Sequence, residues 1–208
     1  DAAAAVGGIV VVDEAYQPFA SHTWLDEMRA EPARYGHVLL MRTLSKFGLA
    51  GVRLGYMIGP RALVAEIDKV RPPYNVSSLN CEAALFALEH AEVFAQQAHT
   101  LRAERERLVA ALRTSFAPEE LTLAGLHTGL HLLAQLKDPP PDAALRAAAR
   151  QYGVRCSLLS DYDLTGTAHS AAGTLVLGYG SLPDADCAAA GERLKKLCTA
   201  AREASDTV

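Results

Sequence analysis

Arg42-Thr-Leu-Ser-Lys-Phe-Gly-Leu-Ala-Gly-Val-Arg-Leu-Gly-Tyr56 decides how this chain is read. It follows a short apolar run, Val38 to Met41, so a lysine, Lys46, falls just where a strand ends. Upstream, Ile9 to Val12 is a continuous β-branched run closed by Asp13-Glu14, the pattern of a strand buried on both faces in a parallel sheet. Between the two runs, Trp24, Leu25 and Met28 stand at near-helical spacing and Pro32 and Gly36 end the segment. Downstream, Leu54 to Ile58 reads as a third strand stopped by Gly59-Pro60, and a helix from about Arg61 to Val70 runs into Arg71-Pro72-Pro73. Strands alternating with helices predict an α/β layered domain.

Farther along, Asn75 to Ser78 offers capping residues for a helix through Leu88, and a long helix is expected from Ala91 to about Phe116. Leu101, Leu108 and Leu112 form its apolar stripe, while Arg102-Ala-Glu-Arg-Glu-Arg107 places opposite charges three and four apart as a solvated face. Beyond Ala117-Pro118 the composition shifts. Strands are expected over Leu130 to Leu136, Val154 to Leu159 and Leu175 to Gly178, with helices over Ala143 to Tyr152 and from about Asp184 to Glu203. Ser181-Leu-Pro-Asp184 is the start signal of the last. A boundary near residue 90 separates residues 1–90, part of a larger domain, from 91–208, a connecting helix and a small α+β domain.

Composition limits the function classes. Half of the 208 residues are apolar, too many for a disordered chain, and no window approaches the roughly 18 to 20 apolar residues of a membrane span. The net charge of -4 argues against general nucleic-acid or membrane binding. Cys81, Cys156, Cys187 and Cys198 are widely separated, with no C-x-x-C pair, which fits a reducing compartment such as the cytoplasm. His127 and His131 stand four apart; on one strand they would share a side, as a metal pair or, without a third ligand, in packing or at the surface. The opening Asp1-Ala-Ala-Ala-Ala5 has no basic region and no signal-peptide core, and reads as a chain entered in the middle.

The chemistry gathers at two strand ends. A lysine that bonds to a carbonyl carbon needs a fixed, partly desolvated stem, and Ser45 and Arg53 beside Lys46 supply a hydroxyl and a guanidinium to a phosphate. Asp13 closes the first strand, where a carboxylate can hold a pyridine nitrogen protonated, and Tyr16 lies about one turn on. Ligands in open α/β sheets collect outside such carboxyl ends. Taken singly, Lys46 reads as a surface lysine and Asp13 as a helix cap; taken jointly, the five residues point to a cofactor site.

Val10-Val-Val-Asp-Glu-Ala-Tyr16, the Arg42–Tyr56 stretch and Lys69-Val-Arg-Pro-Pro-Tyr-Asn-Val76 together resemble fold type I pyridoxal-phosphate aminotransferases, histidinol-phosphate aminotransferases in particular, in collinear order over roughly the first 115 residues. The resemblance implies an α/β fold type I transferase truncated at its amino terminus, a homodimer, and pyridoxal 5'-phosphate as cofactor. Position by position it implies that Lys46 bonds the cofactor and shuttles the proton, Asp13 pairs with the pyridine nitrogen, Tyr16 binds the 3'-oxygen, and Ser45 and Arg53 bind the phosphate. It implies amino transfer between a phosphorylated amino alcohol and a 2-oxo acid in histidine biosynthesis, with no nucleic acid or membrane partner. Tyr74 and Asn75 read as a turn after the two prolines.

Two departures qualify the carry-over. The turn that cradles the phosphate in that family and the aromatic that stacks on the ring lie upstream of residue 1, so weak or absent activity is expected. In the last third, Gly173-Thr-Leu-Val-Leu-Gly-Tyr-Gly-Ser-Leu-Pro183 has no arginine where the family's substrate carboxylate pairs. Ala124 to Leu133, Gly153 to Ser160 and that segment resemble instead the aminotransferase-like domain of MocR-type transcription regulators. A non-catalytic sensing domain, or an amino-acid phosphate decarboxylase on the same fold, are therefore the alternatives. Arg155 is a replacement carboxylate partner or a solvated charge, and Cys156 a reactive or an inert thiol.

Overall fold

The computed structural model describes residues 2–127, 129–165, 172–180 and 182–206 of the chain. It divides into two units, Asp1–His99 and Thr100–Val208. In the first, a short helix α1 (Ala2–Ala5) precedes β1 (Val10–Asp13). The helix α2 (Trp24–Ala30) starts where the Thr23 hydroxyl accepts the Leu25 N–H at 3.1 Å, the N-cap that a β-region threonine supplies. Then follow β2 (Val38–Thr43), β3 (Gly55–Ile58) and α3 (Arg61–Asp68). β2 is central, parallel to β1 and antiparallel to β3, with Asp13 opposite Met41 and Thr43 opposite Gly55. Ser77 caps α4 (Ser78–Glu89) through the Asn80 N–H, and α5 (Ala91–Ser115) follows.

One expectation for this sheet is corrected. β1 is not buried on both faces: Val11 is 50% exposed, whereas Leu39 and Leu40 on β2 are 1% and 0% exposed. Among the described residues β1 has a single strand neighbour, and its burial alternates, with Val11 and Asp13 on the exposed face, although Val10, Val11 and Val12 are apolar on both sides.

The second unit is built on β4 (Leu121–Ala124), β5 (His131–Leu136), α6 (Asp142–Gln151), β6 (Ser157–Leu158), β7 (Thr174–Gly178) and α7 (Asp184–Asp206). Its sheet runs β4-β5-β7-β6, every neighbouring pair antiparallel. Leu132, Leu175, Leu112, Leu145 and Leu197 are all buried in one core between this sheet and the helices. Each such leucine contributes roughly 1.5–3 kcal/mol on burial. α7 approaches α5 closely at Gly191, where an added Cβ would stand 2.5 Å from the Ala111 carbonyl oxygen.

Three readings change here, and a fourth falls outside the described residues. The four-residue β4 is an element the sequence pattern does not predict. The strand foreseen over Val154 to Leu159 shrinks to Ser157–Leu158, because the Asp161 carboxylate accepts the Leu158 N–H at 2.9 Å and starts a 3-10 turn at Leu159. Arg105 in the charge cluster is not solvated: it is 4% exposed, bonded to Glu106 at 3.3 Å and set against Tyr179. Tyr179 is itself buried, its hydroxyl donating to the Gly129 carbonyl. Ser181, the expected start of the last helix, lies outside the described residues.

Candidate active site

The first sheet places its chemistry at the carboxyl ends of β1 and β2. Asp13 is the last residue of β1 and exposed; its Oδ1 accepts the Ala15 N–H at 2.9 Å, which turns the chain toward Tyr16. β2 ends at Thr43, three residues before Lys46, a small correction to the expected strand. The Thr43 hydroxyl accepts the Ser45 N–H at 3.1 Å and the Leu44 N–H bonds the Leu54 carbonyl, which bends the chain into a tight turn over Ser45–Leu49. That turn brings the Lys46 Nζ to 5.1 Å from the centre of the Tyr16 ring, within cation–π range.

The same turn brings Ser45 and Arg53 together. Arg53 adopts a left-handed backbone, φ 53°, and reaches back so that its Nη1 lies 3.5 Å from Ser45 Oγ and 3.4 Å from the Ala50 carbonyl. A non-glycine residue there costs on the order of 1–3 kcal/mol, the kind of strain that collects at functional sites. Gly48, at φ +108°, faces the Phe94 ring, which stacks on Phe47 at 4.7 Å. The structure thus joins Lys46 to Tyr16 and Ser45 to Arg53, and sets Asp13 beside Met41 on the neighbouring strand.

An amine, a phenol, a carboxylate, and a hydroxyl with a guanidinium are a donor set that suits a phosphorylated hydroxypyridine aldehyde. With such a group bound, the amine would meet the carbonyl carbon, the carboxylate the ring nitrogen, and the Ser45–Arg53 pair the phosphate dianion.

Sequence reasoning missed a second cluster just behind these residues. The Glu14 side chain, 8% exposed, accepts bonds from Arg42 Nη2 at 2.8 Å, Arg42 Nε at 3.0 Å, the Trp24 backbone N–H at 2.7 Å and the Thr23 hydroxyl at 2.9 Å. Burial acts to raise its pKa, but the Trp24, Arg42 and Thr23 bonds together outweigh it and hold the carboxyl below its ordinary value. The only signal available in sequence was an acid next to Asp13 and a base before Lys46.

The remaining candidates fall elsewhere. His131 starts β5 but His127 lies in the turn before it, so the two do not share a strand, and no metal-ligand cluster occurs among the described residues. Burial raises the Cys156 pKa, against a smaller opposite pull from Arg146, which makes it the inert thiol of the two readings. Arg155 is exposed and lines a cavity of about 300 Å³ in the second unit with Asp186 and Arg193. None of the five cofactor candidates lines that cavity.

A three-stranded sheet with a lysine turn after its central strand, followed by an antiparallel α+β unit, is the architecture of part of a fold type I aminotransferase. The chain superposes at a TM-score of 0.74 and 16% identity on the alpha-aminoadipate aminotransferase LysN of Thermus thermophilus, solved with N-(5'-phosphopyridoxyl)-L-leucine, covering 98% of this chain and 53% of that one. A multiple substrate aminotransferase of Thermococcus profundus gives 0.73 and 16%, with 100% and 51% covered. The profile of aminotransferases of class I and II matches residues 1–166, and the chain belongs to that family. Among curated relatives, the histidinol-phosphate aminotransferase of Paracidovorax citrulli is 82% identical over 113 residues, 54% of this chain and 30% of that protein. That of Methylibium petroleiphilum is 72% identical over 113 residues, 54% and 29%. These two matches thus span less than a third of the curated relatives' length.

Proposed function

We propose that the chain carries the lysine-bearing part of a histidinol-phosphate aminotransferase and binds pyridoxal 5'-phosphate. The observation that carries this reading is the juxtaposition of the Lys46 amine with the Tyr16 ring at 5.1 Å, on a chain 82% identical to such an enzyme over 113 residues. In this reading Lys46 would hold the cofactor at its aldehyde carbon, Asp13 would keep a proton on the ring nitrogen, Tyr16 would orient the 3'-oxygen, and Ser45 with Arg53 would neutralise the phosphate. The cofactor, when bound, supplies the electron sink for charge developing at the substrate carbon. Lys46, as a free amine, would carry the proton between that carbon and the cofactor's aldehyde carbon. Its turn fixes where the Nζ can reach, and a short reach is what makes the transfer effectively intramolecular.

The substrates proposed are a phosphorylated amino alcohol as donor and a 2-oxo acid as acceptor, in histidine biosynthesis, with the working protein a cytoplasmic homodimer. Among the described residues no helix is long and apolar enough to cross a membrane. The lack of an arginine on β7 favours a second reading, a domain that binds cofactor and amino acid without turnover, or a decarboxylase on the same fold. Purified chain mixed with pyridoxal phosphate should show a visible absorption band that Lys46→Ala abolishes. Wild type with neither a band nor a borohydride-fixed adduct contradicts the cofactor reading. Histidinol phosphate or glutamate should convert the band to that of the amine form; binding without conversion favours the sensor.

A further inference from the structure

We propose that Glu14, Thr23 and Arg42 form a buried clamp that positions Asp13 against Lys46, a role that rests on the cofactor reading above. Glu14 follows Asp13 directly, Arg42 precedes Lys46 by four residues, and Thr23 caps α2. Two donors of the Arg42 guanidinium converge on Glu14 Oε2, at 3.0 and 2.8 Å, and its Nη2 also donates to Thr23 Oγ1 at 2.7 Å. The hydroxyl of Thr23 in turn donates to the Glu14 carboxylate, which closes the trio on itself.

Stability alone does not explain such a trio. The two charged side chains are only 14% and 8% exposed, and a buried ion pair often gains nothing over apolar residues of similar size. What the guanidinium adds is direction, because planar charge-assisted bonds tolerate little displacement. Alternation along the strands puts Glu14 and Arg42 on the α2 side and Asp13 and Met41 on the other. The clamp therefore touches no reacting group and acts through the backbone, where the Glu14 N–H donates to the Met41 carbonyl at 2.8 Å and holds the pairing of Asp13 with Met41. Reactive groups need placement within about 0.5 Å, and a misplacement of roughly 1 Å costs on the order of a hundredfold. A loosened β1–β2 end shifts Asp13 relative to the turn that carries Lys46.

The test uses the full chain with pyridoxal phosphate and reads the pH midpoint of its visible band together with the cofactor Kd. Trp24, the single tryptophan, donates its backbone N–H to Glu14, so its emission without cofactor reports whether the clamp is intact. Glu14→Gln keeps the shape and removes the charge; the expected result is altered Trp24 emission, a midpoint moved by about one pH unit and a Kd raised about tenfold. Arg42→Lys keeps the charge and loses the planar fork, and is expected to move both quantities in the same direction by less. A Glu14→Gln protein with wild-type melting temperature, midpoint and Kd overturns the proposal. Should Glu14→Gln fail to fold, Arg42→Lys decides in the same way, unchanged values overturning the clamp. Wild type that forms neither band nor borohydride-fixed adduct removes the cofactor reading and the clamp's role with it.

Discussion

Gly48→Ala tests the lysine turn at its tightest point. Gly48 sits two residues after Lys46 at φ +108°, a conformation side chains rarely adopt, and an added Cβ would stand 3.0 and 3.1 Å from two atoms of the Phe94 ring. The backbone cost is on the order of 1–2 kcal/mol. Phe94 cannot yield freely, because it stacks on Phe47 with 4.7 Å between ring centres, a contact contributing about 0.5–1.5 kcal/mol. With partial relaxation the combined penalty is about 2 kcal/mol, which corresponds to roughly a thirtyfold loss in cofactor affinity. The assay is a pyridoxal-phosphate titration followed by the visible band and by Trp24 quenching. Gly51→Ala is the internal control: nothing lies within 4 Å of its added Cβ, so it should bind within about twofold of wild type. Equal affinities for Gly48→Ala and Gly51→Ala would refute the claim that this turn is held by its geometry.

Three further outcomes are expected. Gly191→Ala forces a methyl to within 2.5 Å of the Ala111 oxygen and 2.6 Å of Ser115 Oγ, and should destabilise the second unit by about 1–3 kcal/mol, read as a lower urea midpoint; no shift would mean that the helices separate freely. Glu14 has a folded pKa below its ordinary 4.5, so its contribution is fully present above that value and is lost as pH falls through the lower folded one. Denaturation series run down through this range should show a steeper acid loss for wild type than for Glu14→Gln, and matching slopes would contradict it. Burial pushes the Cys198 thiol up to about 11, whereas Cys81 is exposed, so iodoacetamide should label Cys81 in the folded chain and reach Cys198 only on unfolding, as read by mass spectrometry.

The parts of the fold legible in the sequence were those in which one contiguous stretch carries its own signal. Ile9–Val12 and Val38–Met41 announce strands by β-branched and apolar runs, and the lysine turn shows its glycines and arginine in order. β4 gave no such signal: Leu121-Thr-Leu-Ala is four residues long, and only its pairing with β5 makes it a strand. The contraction of β6 depends on a carboxylate three residues beyond it, and the burial of Arg105 on Tyr179, which is far away in sequence. The candidate site divides in the same manner. Its five outer residues lie in two motifs, whereas Glu14 and Arg42 are 28 positions apart and meet only once β1 and β2 pair in parallel.

The end position of β1 bears on how this 208-residue chain, taken by itself, behaves at high concentration. Val11 on β1 and Ile9 just before it are 50% and 56% exposed, and Ile9 to Val12 holds no proline or lysine, the kind of residue that ordinarily blocks lateral growth. A half-exposed β-branched edge is a template on which a second molecule can add a strand, and low charge along it favours ordered stacking. Turbidity and light scattering that rise with concentration are the expected behaviour, independent of anything bound at Lys46. Val11→Lys, on the exposed face of the terminal strand, should raise solubility while leaving the lysine turn undisturbed.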